Sequence, residues 1–461
     1  MIVLGEISVD IKLQELPNSC IGKLVIVGGT GPCLLGRDLI SKLNLNNVRL
    51  SEINKISDNS DLLKKFPILF SEGVGCFKDR LFTIEVDPSV PPKYCNPRTV
   101  PYALRDKVDK ELDRLKEQGI ITPITNSRWA SPVVPVLKSD NEVRICGDYK
   151  LTANKAASLD TYPIPKHEDL FSKLSGGAIF SKLDMAQAYS QLCLDEESKQ
   201  YTVINTPKSL FKYNRLCFGI SSAPGIFQRA MEELLRGMPG VSCYFVDILI
   251  TASSKEEHDS RLHDVLTRLQ DAGLRLRLDK CHIGMPKVTY LGYQIDKEGI
   301  HPTKYKVSAI VKAPKPTNLT QLRAYLGVFN FYRRFVHNAS TILEPLNRLL
   351  RDKVTWTWGK EEDGAFEASK DALLSSDVLV HFDPSKPIVV VADSSAYGIG
   401  AVLCHLIDGN ERPIYFASRS LTSAERNYSQ LEKEALALVY ALRQFHYYLW
   451  GQSNFKLVTD H

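Results

Sequence analysis

The 461-residue sequence has no run of 18 apolar residues, so it offers no segment long enough to span a bilayer as a helix. Its ten cysteines contain no CxxC pair, which argues against a zinc knuckle and a disulfide framework and leaves reduced thiols as the expectation. No internal repeat and no low-complexity tract occurs, so solenoid and propeller classes are set aside. The first ten residues lack a basic region and carry Glu6 and Asp10, so a secretory signal is not read there and an intracellular address, cytoplasm or nucleus, is expected. His258 and His263 do not form HExxH and read as surface residues.

What is present is an ordinary globular composition, 44% hydrophobic and 24% charged, at a length that suggests several domains. The net charge of +5 is unevenly spread. Residues 301–353 hold ten Lys or Arg against Glu344 and Asp352, a local +8, so the remainder is about −3. That basic stretch suits contact with phosphates that carries no base information. Its interleaved aromatics, Tyr305, Tyr325, Phe329, Phe331, Tyr332 and Phe335, follow a helical spacing and read mostly as core.

Apolar residues at Leu104, Val108, Leu112 and Leu115 predict a one-faced helix over 102–118. Val133 to Leu137 and Val143 to Cys146 predict a hairpin that projects Lys138 and Arg144. Ala178 to Leu183 predicts a strand ending in Asp184. Cys243 to Ile250 is an apolar run broken by Asp247, where an uncompensated carboxylate would cost several kcal/mol. An acid there needs a partner or a metal. If the run is a hairpin with Asp247 near its tip, Asp184 and Asp247 can converge on Mg²⁺, a hard ion with oxygen ligands. Further on, a helix over 356–374, strands at 388–392, 401–406, 413–418 and 454–459, and a helix near 430–449 form an α/β pattern.

Five blocks in order carry a resemblance: Arg144 to Lys150, Lys182 to Tyr189, Phe218 to Pro224, Tyr244 to Ile250, and Leu291 to Tyr293. Together they resemble the reverse transcriptase of gypsy-class long-terminal-repeat retrotransposons. Ala392 to Ser395, Leu431 to Ala437 and Val458 to His461 resemble the ribonuclease H domain of the same Pol polyproteins, and Leu34 to Asp38 resembles the last turn of a retroviral aspartic protease. No Asp-Thr-Gly or Asp-Ser-Gly accompanies that turn, so Asp38 reads as a structural acid or helix cap.

The resemblance implies a mixed α/β and α+β multidomain fold. A β-rich protease remnant (1–55) is followed by fingers and palm (85–297), a thumb and connection (298–385) and an incomplete ribonuclease H-like domain (386–461). It implies an enzyme acting on an RNA template, a DNA primer, RNA:DNA hybrid and deoxynucleotides with Mg²⁺, or Mn²⁺, and no membrane partner. By match, Asp184 and Asp247 would hold metal in the palm, and Asp393, Glu434 and Asp460 in the ribonuclease H-like domain. Glu432 competes with Glu434, and the one-turn spacing to Ala437 and Ala441 favours Glu434. Tyr189, Phe218 and Gly219 would shape the nucleotide pocket, Lys138 and Arg144 would contact the triphosphate, Lys280 lies near the palm's end, and Leu291 to Tyr293 resembles the primer grip.

One position departs from the family. Its Tyr-x-Asp-Asp motif here reads Tyr244-Phe245-Val246-Asp247, so a valine replaces the first carboxylate. A unit charge at about 4 Å and an effective dielectric of 20 is worth about 4 kcal/mol, or roughly three decades in rate when it acts fully in the transition state. A one-residue strand slip would not repair this, because it turns side chains to the opposite face. Two readings follow: a reverse transcriptase and ribonuclease H with impaired polymerisation, or a decayed, non-catalytic nucleic-acid binder.

Overall fold

The structure, a computed structural model, describes residues 62–138, 141–157, 162–352, 354–375 and 378–459, together with two strands nearer the start. Those strands, β1 (Ile2–Lys12) and β2 (Ser19–Gly28), pair antiparallel within a first compact unit that runs to Pro67. The β-rich start is present; Leu34 to Asp38 lies outside the described residues. Residues 68–461 form the second unit.

In that unit α1 (Tyr102–Glu117) begins directly after Pro101 and buries Val108, Leu112 and Leu115, the stripe its spacing predicts. Strands β3 (Ile121–Ile124), β4 (Ser131–Leu137) and β5 (Val143–Gly147) follow. Helix α2 (His167–Ser172) then leads to strand β6 (Ile179–Asp184). Strands β7 (Ile204–Asn205) and β8 (Leu210–Tyr213) complete a five-stranded sheet in the order β3-β8-β7-β4-β5.

A second sheet carries the acids. Helix α3 (Ala223–Leu234) precedes β9 (Val241–Tyr244) and β10 (Asp247–Ala252), helix α4 (Lys255–Asp271) follows, and β11 (His282–Met285) closes the order β11-β6-β10-β9. Ile248, Leu249 and Ile250 have no solvent exposure, because β10 is an inner strand covered on both faces. That is why the run is continuously apolar up to its acidic end.

Helix α4 buries His258, Leu262, Val265, Leu266 and Leu269. His258 is therefore not the surface residue expected from sequence. It is 1% exposed, its Nε2 lies 2.7 Å from Ser181 Oγ on β6, and its Nδ1 lies 3.2 Å from Asp259. His263 is exposed. Burial holds the His258 pKa below its ordinary 6.5, with Asp259 opposing. The unfolded chain then takes up the proton first, so the stabilising neutral form is complete above about pH 6.5 and is lost as pH falls below it. His258→Gln is expected to flatten the decline of melting temperature between about pH 6.5 and 5; an unchanged slope would rule this source out.

A small sheet of β12 (Lys287–Tyr290), β13 (Tyr293–Asp296) and β14 (Ile300–Pro302) leads into α5 (Lys304–Val311), α6 (Leu319–Phe331) and α7 (Lys360–Leu374). The last helix starts at Lys360 and not at Trp356, because Gly359 is its N-cap, with its N–H donating to Glu362. Tyr325, Phe329, Tyr332 and Phe335 are buried, as their spacing predicts, while Tyr305 is 84% exposed.

The final sheet has the order β17-β16-β15-β18, from β15 (Ile388–Ser394), β16 (Gly398–Ile407), β17 (Asn410–Ser420) and β18 (Phe455–Val458), with helix α8 (Gln430–Gln444) between the last two strands. Within this sheet β15 and β18 pair in parallel, the connection that a crossing helix permits. Val389, Val402 and Phe416 join a core with Phe180, Leu249 and Phe329, whereas Val390 and Ala392 join Ala437 and Ala441 of α8. One apolar core thus runs from the acid-bearing sheet, through the helices, to the last sheet.

Candidate active site

Asp247 is the direct cross-strand partner of Asp184. Opposed residues of an antiparallel pair project to one face, so the two carboxylates share a side of the sheet. Tyr244 and Asp247 also pair, leaving Phe245 and Val246 as a two-residue turn with Phe245 at φ +50°. Gln228 of α3, fully buried, holds that turn: its Nε2 donates to the Cys243 carbonyl at 2.9 Å and its Oε1 accepts from the Phe245 N–H at 2.7 Å. Val246 presents only a carbonyl, which accepts from the Met185 N–H at 3.4 Å.

Lys182, two residues before Asp184 and on the same face, places its Nζ 2.9 Å from Asp247 Oδ2. Sequence reasoning gave Lys182 no role, although its period-two spacing from Asp184 carried the signal. Burial pushes the Asp184 carboxyl above its ordinary value, with Lys280 opposing, Asp247 adding to the rise, and Lys182 and Arg277 opposing. Lys280 therefore belongs to this cluster. Two oxygen-bearing acids on adjacent strands suit one hard divalent ion, and valine supplies no third ligand. Among the described residues no group of three or more His, Cys, Asp or Glu gathers to hold a metal.

An aromatic cluster forms five residues after Asp184 and packs on Phe227, the chain neighbour of the Gln228 that holds the Phe245 turn. Tyr189 stands edge-on to Phe218 at 4.9 Å and to Phe227 at 5.5 Å, and the Arg144 guanidinium lies 4.7 Å from the Phe218 ring centre. Gly219 has φ +102°, and a Cβ there would meet the Gly147 carbonyl at 2.3 Å, so only glycine lets this loop lie against the hairpin. Arg144, Tyr189, Phe218 and Gly219 are thus brought together. Lys138 lies at the end of the same hairpin, its N–H donating to the Glu142 carbonyl at 2.8 Å, two residues beyond the cross-strand partner of Arg144. Leu291 and Gly292 both have positive φ, and Tyr293 stacks on Phe331 at 4.9 Å.

In the last sheet Glu434 is 3% exposed. Ser394 Oγ donates to it at 2.6 Å, Gln430 Nε2 at 2.9 Å and Thr459 Oγ1 at 3.0 Å. Burial acts to raise its pKa, but these donors outweigh it and hold the carboxyl below its ordinary value. Glu432 instead caps α8 by accepting from the Ser429 N–H at 2.8 Å. Strand alternation puts Ser394 on the α8 side with Val390 and Ala392, and Asp393 on the side of Val389 and Val391, opposite Gly400. Asp393 and Glu434 therefore flank one strand end without touching through a hydrogen bond. Asp460 lies outside the described residues.

Residues 136–295 match the family described as reverse transcriptase (RNA-dependent DNA polymerase). Residues 358–457 match that described as RNase H-like domain found in reverse transcriptase. A retrovirus-related Pol polyprotein from transposon 297 of Drosophila melanogaster is 33% identical over 440 residues, 92% of this chain and 41% of the relative. This chain thus carries a reverse transcriptase region followed by an RNase H-like region, and is similar to transposon Pol polyproteins. A second Pol polyprotein, from transposon opus of the same fly, is 30% identical over 474 residues, 98% of this chain and 47% of the relative. The chain spans less than half the length of these curated relatives. A foamy viral protease-reverse transcriptase solved with double-stranded DNA has the same fold, with a TM-score of 0.81 at 23% identity over 99% of this chain and 83% of that one. A foamy viral protease-reverse transcriptase solved with RNA/DNA hybrid gives 0.78 at 23%, over 99% and 64%. No described helix is long and apolar enough to cross a membrane.

Proposed function

We propose that this chain binds primer and template in its right-hand unit and that Asp184 and Asp247 hold one divalent ion, Mg²⁺ or Mn²⁺, beside a nucleotide pocket floored by Tyr189 and Phe218. The observation that carries this is the cross-strand pairing of the two aspartates, supported by the Arg144, Phe218 and Tyr189 cluster that forms five residues along the chain from Asp184. When bound, such an ion would supply charge stabilisation to a transferring phosphoryl group. Arg144 and Lys138 would offer fixed cations to a triphosphate, and Tyr189 would contact the sugar. Val246 removes the ligand that a pair of ions would share, so nucleotidyl transfer is slow. Asp393 and Glu434, completed by Asp460, are the proposed ion-holding acids for hybrid cleavage.

The non-catalytic reading has its own support in the Lys182 contact, which already neutralises one Asp247 oxygen. Primer extension and duplex binding, measured on the same preparation, separate the two readings. Extension that depends on Asp184 supports the enzyme; binding with no extension in either the parent chain or Asp184→Asn supports the binder. In both cases affinity for RNA:DNA hybrid is expected to fall about 10³- to 10⁵-fold between roughly 50 and 200 mM salt if six to ten phosphates are neutralised. A salt-independent affinity in a filter-binding titration would contradict phosphate contact. Cleavage of labelled hybrid is expected to disappear in Asp393→Asn and Glu434→Gln, with binding retained; cleavage that persists in both variants would remove these acids from the reaction.

A further inference from the structure

Two half-buried thiols face each other where the chain ahead of the fingers crosses the palm. Cys76 Sγ and Cys193 Sγ lie 2.7 Å apart although 117 positions separate them in sequence. Among the described cysteines, no other two sulfurs come within hydrogen-bonding distance. The backbone on each side is fixed by the same contact. The Cys76 N–H donates to the Gly273 carbonyl at 3.0 Å, Phe77 N–H to Gln191 at 2.8 Å, and Phe82 N–H to Cys193 at 2.9 Å. Arg215 adds donations to the Gly75 and Ser190 carbonyls at 2.6 and 2.8 Å. Reaching a covalent S–S bond of about 2.05 Å therefore needs the two sulfurs to approach by less than about 1 Å.

We propose that Cys76 and Cys193 are an oxidation site at which a low-molecular-weight disulfide, of the oxidised glutathione class, forms an intramolecular disulfide. Burial raises the Cys193 thiol to about 11, and the exchange is written with Cys76 attacking first. Cys76 loses its proton and attacks one sulfur of the small disulfide; that S–S bond breaks and the first small thiol leaves. Cys193 loses its proton and attacks the Cys76 sulfur of the mixed disulfide, and the second small thiol leaves. The protein gives up two protons and two electrons, and the small disulfide is reduced to two thiols.

The bond would staple residues 75–82 to the palm just behind the turn that carries Tyr189. Gln191 ties the two together, because its carbonyl accepts from the Phe77 N–H at 2.8 Å and its Nε2 donates to the Ala186 carbonyl. Closing so long a loop restricts the unfolded chain, so the oxidised form is the more heat-stable one.

The full chain is to be incubated with oxidised glutathione, alkylated and mapped by mass spectrometry of non-reduced peptides. The expected product is one cross-linked peptide joining Cys76 to Cys193, lost on reduction, with a melting temperature above that of the reduced chain. Cys76→Ser and Cys193→Ser should each lose both the cross-link and the temperature shift, and their reduced-state circular dichroism controls for folding. Glutathione adducts without a cross-link, a cross-link to any other cysteine, or no reaction under conditions that oxidise the urea-unfolded chain would each overturn the proposal.

Discussion

Replacing Val246 with aspartate is expected to raise primer extension on an RNA template by roughly three decades over the parent chain. The magnitude follows from one carboxylate about 4 Å from a transferring group at an effective dielectric near 20, which is worth about 4 kcal/mol. The geometry is suited to the change. Position 246 lies in the two-residue turn between Tyr244 and Asp247, its side chain is only half-buried, and Gln228 fixes the turn from beneath. The new acid therefore meets no closed apolar wall. Single-turnover extension with saturating Mg²⁺ measures the effect, with Val246→Asn as a control of similar size and no charge. Equal rates for Val246→Asp, Val246→Asn and the parent would show that this position contributes no ligand.

The second large effect is on stability. Phe329→Ala is expected to cost about 3–5 kcal/mol, the range for removing a fully buried aromatic side chain. Phe329 has no exposure and belongs to the core that joins Phe180 and Leu249 to Val389 and Phe416. The loss should weaken the acid-bearing sheet and the last sheet together. Chemical denaturation followed by tryptophan fluorescence and far-ultraviolet dichroism tests this: a shared shift of both transitions is expected. A loss below about 1 kcal/mol, or a shift confined to one probe, would mean that the core is not continuous in energetic terms.

Much of this architecture was legible in the order of residues because periodicity reports burial. Val108, Leu112 and Leu115 marked the face of α1, and the unbroken apolar run of β10 marked a strand covered on both sides. Position of the acids was legible too, since Asp184 ends one strand and Asp247 interrupts another. What sequence hid was set by side chains meeting across elements. The reach of Lys182 to Asp247 and the grip of Gln228 on the Phe245 turn depend on strand register and on how α3 lies beneath the hairpin. The surface reading of His258 rested on the missing HExxH spacing and passed over its place on the α4 stripe, four residues before Leu262. Residues 68–84 lack any period at all, yet Leu69, Phe82 and Ile84 are buried, with Phe82 bridging Leu194 through irregular chain. Asp393 and Glu434 share a strand end, but alternation sets them on either side of it, which a motif match does not report.

The convergence of Asp184 and Asp247 on a single ion is most directly tested by replacing Mg²⁺ with Fe²⁺ and mapping where ascorbate and peroxide cut the backbone. Cuts at both 184–185 and 246–247, lost together in Asp184→Asn and in Asp247→Asn, are the expected result. Cutting near only one aspartate, or cutting that survives removal of either carboxylate, would contradict a shared ion.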